Sequence, residues 1–386
     1  MENSSAVSRH IRLSALRHKA EPAVFLTVFL LLFGCIAHVM GLANMLNTIM
    51  NTAYRLLVDT VLYLMAITVL TGAVSGLLTE FGVVRLLDRV LSPLMGPVYG
   101  LPGVSALGPL TTYFSDNPAI LTLAGDCGFR GCFRTFQMPA LVCLGTSFGM
   151  GLIVSTFMLS TGGMGTAVIA GNLGAVVGSV VATRLMLRRA GRCLGRDTWC
   201  ELSPKEDVPP DVPSSGGLRV MGAIMQGGKN GVELGLSIIP GVLIVCTLVF
   251  LLTGGPGEEG VYTGAAYEGI GLLPWLGEKL SFLLCPLFGF SSAEAIAVPV
   301  TAMGSAGAAI GLVPQLLEQG AANAGDVAVF TAMCMCWSGY LSTQVAVMSS
   351  IGCTRFSGRA ILYQTVGGLT AGIAAHGIYA LLAFIL

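Results

Sequence analysis

The chain has 386 residues, of which 54% are hydrophobic and only 10% charged, with a mean hydropathy of +0.80; an ordinary soluble domain carries roughly 25% charged residues. Its formal net charge is zero, so bulk electrostatics gives no reason to expect nucleic acid or an acidic partner. That much apolar surface needs lipid around it, which excludes a soluble enzyme and makes an all-α integral membrane protein the expected fold class.

In chain order, Arg9, Arg12, Arg17 and Lys19 precede a first apolar run that is too long, and lacks the cleavage site, for a secretory signal; it reads as a retained span. About seven full spans are expected, near residues 24–42, 57–79, 135–159, 163–187, 232–253, 327–350 and 360–384. Residues 84–125 and 271–318 are apolar but interrupted by Gly and Pro, including Gly108-Pro109, Asn117-Pro118, Pro286 and Pro299. Each reads as an amphipathic helix followed by a re-entrant helical hairpin, since irregular backbone is tolerated at membrane depth where it lines a cavity.

The polar stretch from Arg188 to Gly217 has the composition of a flexible linker. Four regions follow: a tail and first span over 1–50, a first repeat with its hairpin over 51–189, a linker over 190–217, and a second repeat with its hairpin over 218–386. With the N-terminus inside, Arg85, Arg89, Arg130, Arg134, Arg184, Arg188, Arg189, Arg192, Arg196, Lys205, Arg219, Lys229, Arg355 and Arg359 all fall on the cytoplasmic side, and only Arg55 and Lys279 fall outside. That bias predicts a multi-pass protein of a bacterial cytoplasmic membrane with a cytoplasmic N-terminus.

Ser92-Pro-Leu-Met-Gly-Pro-Val-Tyr-Gly aligns without gaps on Ser281-Phe-Leu-Leu-Cys-Pro-Leu-Phe-Gly, an offset of 281 minus 92, or 189. Thr112 then falls on Thr301; after a short insertion, Phe136 and Gly145 are expected opposite Phe330 and Gly339. In the topology above the two repeats are inverted. Inverted repeats with broken hairpins mark secondary transporters, whose solute and ion sites lie where the broken elements meet.

The most informative run is Thr111-Thr112-Tyr113-Phe114-Ser115-Asp116-Asn117-Pro118, which places polar groups inside an apolar region. A carboxylate at the bilayer centre costs about 2.5–3.5 kcal/mol, so Asp116 is expected to face a cavity, a partner or an ion. Ser115, Asp116 and Asn117 are therefore candidates for solute or coupling-ion contact, with Glu294 as the acid of the second hairpin. The alternative is that both acids sit at a hairpin base and cap a helix. Gln137, Thr146 and Ser147 in one following span, and Ser338, Thr343 and Gln344 in the other, suit an uncharged polar solute; interhelical packing is the competing role.

The eleven cysteines form no CxxC pair and mostly lie in apolar runs, where Cys behaves as a small hydrophobe. Cys143, Cys334 and Cys336 leave open a divalent-metal conduit, since thiolates favour late first-row metals. Ser115-Asp116-Asn117 matches one element of penicillin-recognising enzymes, but no Ser-x-x-Lys or Lys-Thr-Gly accompanies it. No enzymatic activity and no cofactor is expected, apart from a coupling Na⁺ or H⁺.

Four segments carry a family likeness: residues 97–118, Phe136-Gln137-Met138-Pro139-Ala140-Leu141, Ile238-Ile239-Pro240-Gly241, and residues 286–309. Over residues 57–350 the layout resembles bacterial membrane proteins with nucleoside-recognition (Gate) domains, distantly similar to concentrative nucleoside transporters. Proteins with such domains are linked to nucleosides, ferrous iron and spore maturation. The resemblance implies Asp116, Asn117 and Glu294 as hairpin-tip site residues. Together these readings point to a secondary transporter of a small polar, nucleoside-like solute, working in the lipid bilayer as a homo-oligomer, dimer or trimer. A metal conduit and a non-transporting regulatory or scaffold protein are the alternatives.

Overall fold

The computed structural model describes residues 2–117, 119–125, 127–162, 164–195, 198–200, 216–257 and 260–385. The first half runs α1 (Glu2–Met40), α2 (Leu42–Arg55), α3 (Leu62–Glu80), α4 (Val83–Leu94), α5 (Leu107–Phe114), α6 (Ala119–Gly125), α7 (Cys127–Arg130), α8 (Met138–Thr146), α9 (Gly151–Gly162) and α10 (Gly165–Leu194). The second half runs α11 (Gly216–Gly241), α12 (Thr247–Thr253), α13 (Leu272–Phe288), α14 (Ala297–Gly304), α15 (Ala306–Glu318), α16 (Ala324–Trp337), α17 (Tyr340–Ser350) and α18 (Ser357–Ile385). Among the described residues the only β pairing is an isolated bridge between Arg134 and Trp199.

Among the described residues, six stretches are long and apolar enough to cross a membrane: Glu21–Met40, Leu42–Glu80, Thr135–Thr161, Gly165–Leu194, Gly216–Thr253 and Thr354–Ile385. A seventh arises only if Val83–Tyr99 and Gly103–Phe114, bent by 103° against each other, count as one. The expected span over 327–350 is not a single helix. It breaks between Trp337 and Tyr340, where Ser338 (φ 21°) and Gly339 (φ 68°) turn the backbone out of the α region.

The chain forms two compact units. In the smaller, Met1–Thr52 with Phe250–Leu272, Ile36, Met40, Met45 and Leu251 make a buried cluster. Asn44 Nδ2 donates to the carbonyl of Tyr262 (2.8 Å) and Asn51 Nδ2 to that of Gly264 (2.8 Å), fastening the loop over 254–271. Glu268 organises that loop from within. Burial alone would raise its pKa, but hydrogen bonds from the Thr263 hydroxyl (2.7 Å) and the amides of Thr263 and Gly264 hold the carboxyl below its ordinary value.

The larger unit, Ala53–Val249 with Leu273–Leu386, rests on two close helix crossings. In α3 and α11 the glycines Gly72, Gly76, Gly227 and Gly231 stand four apart, and a Cβ on any of them would strike backbone of the facing helix. Gly72 meets Gly227, Gly76 meets Ala223 and Gly231 meets Thr68, so residue numbers fall on one helix as they rise on the other: the pair is antiparallel. This is small-residue packing, in which backbones approach closely where lipid supplies no hydrophobic drive. A π turn at Leu56–Val61 leads into α3 and another at Val242–Cys246 follows α11, and the two π turns pack together. The second follows Pro240, whose missing N–H leaves the helical ladder short of one donor.

The second crossing joins α10 to α18. A Cβ at Gly178 would meet the Gly367 carbonyl and Ala371, and a Cβ at Gly367 would meet Ala182 and the Gly178 carbonyl. Gly178 and Gly367, like Ala182 and Ala371, are partners at the repeat offset, so the contact is reciprocal in the way a two-fold axis requires.

The same offset organises the helices between these crossings. α4 starts at Val83 and α13 at Leu272; α9 starts at Gly151 and α17 at Tyr340, in each case 189 residues on (340 minus 151). The cap of Arg134, whose N–H donates to Gln137 Oε1 (2.9 Å), recurs as Asn323, whose N–H donates to Asp326 Oδ2 (2.8 Å). The helix interruptions match too, with Met150 (φ 56°) opposite Gly339. These matches need no insertion before Phe136 and place Gly339 opposite Met150 rather than Gly145. The sequence conceals this because few matched side chains are alike.

Candidate functional site

Two helix–turn–helix elements face two interrupted helices in the larger unit. The first turn is Ser115 to Asn117, between α5 and α6; the second is at Ser305, between α14 and α15. The interruptions are residues 147–150, between α8 and α9, and Ser338-Gly339, between α16 and α17. At such points the terminal amides and carbonyls of a helix have no intrahelical partner, so backbone groups become free to bind ligands.

The first turn is pinned locally. Thr112 Oγ1 donates to the Gly145 carbonyl (2.8 Å), and Tyr113 Oη to Asn172 Oδ1 (3.1 Å). Asp116 Oδ1 accepts from the amide of Asn117 (2.7 Å) and its carbonyl from the amide of Ala119 (2.9 Å), which closes the turn and starts α6. Asn117 then reaches across the fold: its Nδ2 donates to the Ser338 carbonyl (2.7 Å). The residue is buried, yet its Oδ1 finds no hydrogen-bond partner among the described residues, and neither does the Ser338 hydroxyl. Gly149 allows the approach, because a Cβ there would collide with Asn117 Oδ1 and stand 2.8 Å from Ser338 Oγ.

The second turn meets the same interruption. The Gly339 amide donates to the Ala302 carbonyl (3.0 Å), and a Cβ on Gly339 would lie 3.0 Å from the Gly304 oxygen. Ser305 caps α15 by accepting from the Ala308 amide (3.2 Å). Asn117, Gly149, Ser338, Gly339 and Gly304 thus converge from both halves of the chain.

One layer away lies a buried amide pair. Gln344 Nε2 donates to Gln364 Oε1 (3.3 Å), and Gln364 Nε2 donates to Ser147 Oγ (2.9 Å) and to the Cys336 carbonyl (2.7 Å). Ser147 in turn donates to the Cys143 carbonyl (2.8 Å). Gln344 Oε1 is left without a partner among the described residues. Gln364 escaped the sequence reading. Its signal was a lone amide in an apolar span, and its partners come from residues 217 and 28 positions away.

Of the candidates, Ser115, Asp116, Asn117, Ser147, Ser338, Thr343 and Gln344 lie on the turn, at the breaks or within a turn of helix after them. Thr343 Oγ1 donates to the Gly339 carbonyl (3.1 Å), and Thr146 Oγ1 to the Val142 carbonyl (2.9 Å). Gln137 and Glu294 are elsewhere. Gln137 accepts from the Arg134 amide in the capping box of the short helical turn before α8, and Glu294 opens the short helical turn before α14, about 15 Å by helix rise from Gly304. Asp326, also missed, is fully buried but satisfied, accepting from the Ser291 amide (3.1 Å) and hydroxyl. Cys143, Cys334 and Cys336 are buried, and among the described residues no three His, Cys, Asp or Glu side chains group as metal ligands would.

A cleft of about 870 Å³ opens beside the first turn, lined by Thr111, Phe114 and Ser115 on one side and by Ser75, Gln226 and Asn230 of the α3–α11 pair on the other. The cleft borders Ser115 of the first turn and the glycine-packed α3–α11 pair.

No family model matches the chain, and no curated protein does. Among solved structures, the chain is similar to the concentrative nucleoside transporter CNTnw. Against a doubly substituted form in an outward-facing state the identity is 14% and the TM-score 0.56, covering 95% of this chain and 87% of that one. Against an inward-facing substrate-bound state they are 16% and 0.53, covering 82% and 74%. At this identity the likeness is one of fold, and the expected distant similarity to concentrative nucleoside transporters is met at that level: the chain has a transporter-like helical membrane fold.

Proposed function

We propose that this protein is a secondary transporter of a small polar, nucleoside-like solute, coupled to Na⁺ or H⁺, with its site where the two helical turns meet the interruption at Ser338-Gly339. The observation that carries the reading is a pair of buried acceptors, one at that junction and one a layer away. Asn117 Oδ1 and Gln344 Oε1 have no partner among the described residues, and an unpaired buried acceptor costs about 1–3 kcal/mol. A ligand hydroxyl, amide or cation at either atom would recover that cost. The reciprocal Gly178–Gly367 contact between antiparallel helices supports repeats that are inverted across the bilayer. The positive charge on the loops supports a cytoplasmic N-terminus. Assembly as a homodimer or trimer is part of the proposal by analogy of fold only.

Uptake into proteoliposomes tests it, with labelled nucleosides under an imposed Na⁺ gradient and, separately, a H⁺ gradient. Gradient-driven accumulation that falls at least about tenfold in Asn117→Ala and Gln344→Ala is the expected result. Accumulation of no nucleoside under either gradient, by protein that remains folded, would sink the solute class; accumulation unaffected by both substitutions would sink the site.

A further inference from the structure

A second built site lies away from the transport turns, where α3 ends and α4 begins. The apolar span closes at Glu80, and the chain reverses through Phe81 and Gly82 (φ 73°) into α4. A cavity of about 430 Å³ at this corner is lined by Glu80, Phe81, Gly82, Arg85, Arg89 and Arg219, with Leu86 completing it. Three guanidinium groups face one carboxylate, and that carboxylate is already engaged: Arg219 Nε is 2.7 Å from Glu80 Oε1, with its guanidinium stacked 5.8 Å from the Phe81 ring. Arg85 and Arg89, one helical turn apart and therefore on one face, bring positive charge that Glu80 does not neutralise. Asp88 lies between them in sequence but receives the Ser92 hydroxyl (3.4 Å) and does not line the cavity. Gly82 offers no side chain to cap α4, so the first amides of the helix add donors at the same corner.

The surrounding surface identifies the class of anion. α4 has no buried residue, and Leu86, Val90 and Leu94, each four residues apart, form an exposed apolar stripe beside the arginines. A helix of this kind, placed where a span ends, lies in the membrane interface with its apolar stripe toward acyl chains. We propose that this corner binds the phosphate of an anionic phospholipid headgroup, with Arg85 and Arg89 as the phosphate ligands, Arg219 as the third positive group, and the acyl chains running along Leu86, Val90 and Leu94. Guanidinium forks match phosphate oxygens bidentately, and the stripe favours a lipid over free phosphate. The bound headgroup would tie α4 to the glycine-packed α3–α11 pair.

The test is thermal unfolding of the full chain in neutral detergent, titrated with short-chain phosphatidylglycerol, short-chain phosphatidylcholine or sodium phosphate, independent of any transport assay. Phosphatidylglycerol should raise the unfolding temperature, phosphatidylcholine much less, and in the Arg85→Gln/Arg89→Gln variant the apparent affinity for phosphatidylglycerol should fall about tenfold or more. Arg85→Lys/Arg89→Lys, which keeps the charge and removes the fork, should retain an intermediate response and serves if the glutamine pair does not fold. Equal responses to phosphatidylglycerol in wild type and either variant would overturn the site. A response to sodium phosphate alone would overturn the lipid assignment.

Discussion

Gly149 has a hydrogen where any other residue would carry a carbon, and that hydrogen faces the two buried acceptors of Asn117 and Ser338. Gly149→Ala forces one of them aside. Because the obstructing atoms are side chains, the expected stability cost is that of modest overpacking, about 1–3 kcal/mol, while uptake in proteoliposomes should fall at least tenfold. Wild-type uptake by a stably folded Gly149→Ala protein would show that this approach is not where solute or ion binds. At this scale part of the candidate site was legible in the sequence. Ser115, Asp116 and Asn117 stand out because polar groups interrupt an apolar run, and insertion cost makes such groups conspicuous. Gln364 did not stand out, although it links Ser147 to the Cys336 carbonyl, because its role depends on contacts that only the folded chain creates. Glu294 stood out for the right reason, yet the structure places it at the far end of α14 from the turn.

Glycine spacing decides which helices touch. On α11, Gly227 and Gly228 are neighbours in sequence but not in consequence. A Cβ at Gly227 would run into the Gly72 backbone, whereas one at Gly228 would rest 3.7 Å from a Val69 methyl. Both are helical glycines, so replacement by alanine gains intrinsic helix propensity of up to about 1 kcal/mol at either position. Gly228→Ala should therefore be neutral or stabilising. Gly227→Ala should lower stability by a net of about 1–3 kcal/mol, since the two backbones must separate; thermal unfolding of the pair of variants reads the difference directly. Equal behaviour of the two would mean that α3 and α11 do not pack through these glycines. Most helices were visible as apolar runs, but the interruption at Ser338-Gly339 was not. Its residues are small, the flanking Trp337 and Tyr340 are apolar enough to continue the run, and hydropathy averages across a break that only φ reveals.

The proposed inverted repeat extends these local features to the whole chain. One nine-residue alignment suggests the repeat, and the shared helix starts and caps at the same offset add to it, although few matched side chains are alike. α10 and α18 cross antiparallel at Gly178 and Gly367, each making to the other's helix the contact that it receives. A rotation that superimposes antiparallel partners has its axis across the helices; if they span the bilayer, the axis lies in the membrane plane and the halves point opposite ways. The corresponding ends of α10 and α18 must then emerge on opposite faces. Cys193, exposed near the end of α10, and a cysteine placed at Ala383 near the end of α18 probe this in single-cysteine backgrounds. In spheroplasts, if the positive charge of Arg188, Arg189 and Arg192 keeps that loop in the cytoplasm as proposed, an impermeant thiol reagent should label the cysteine at Ala383 and reach Cys193 only after permeabilisation. Labelling of both from outside would contradict the inversion, and with it the alternation between faces that a single site at a pseudo-two-fold junction makes possible. The reverse pattern would preserve the inversion but turn the protein over, and would move the N-terminus to the outer face.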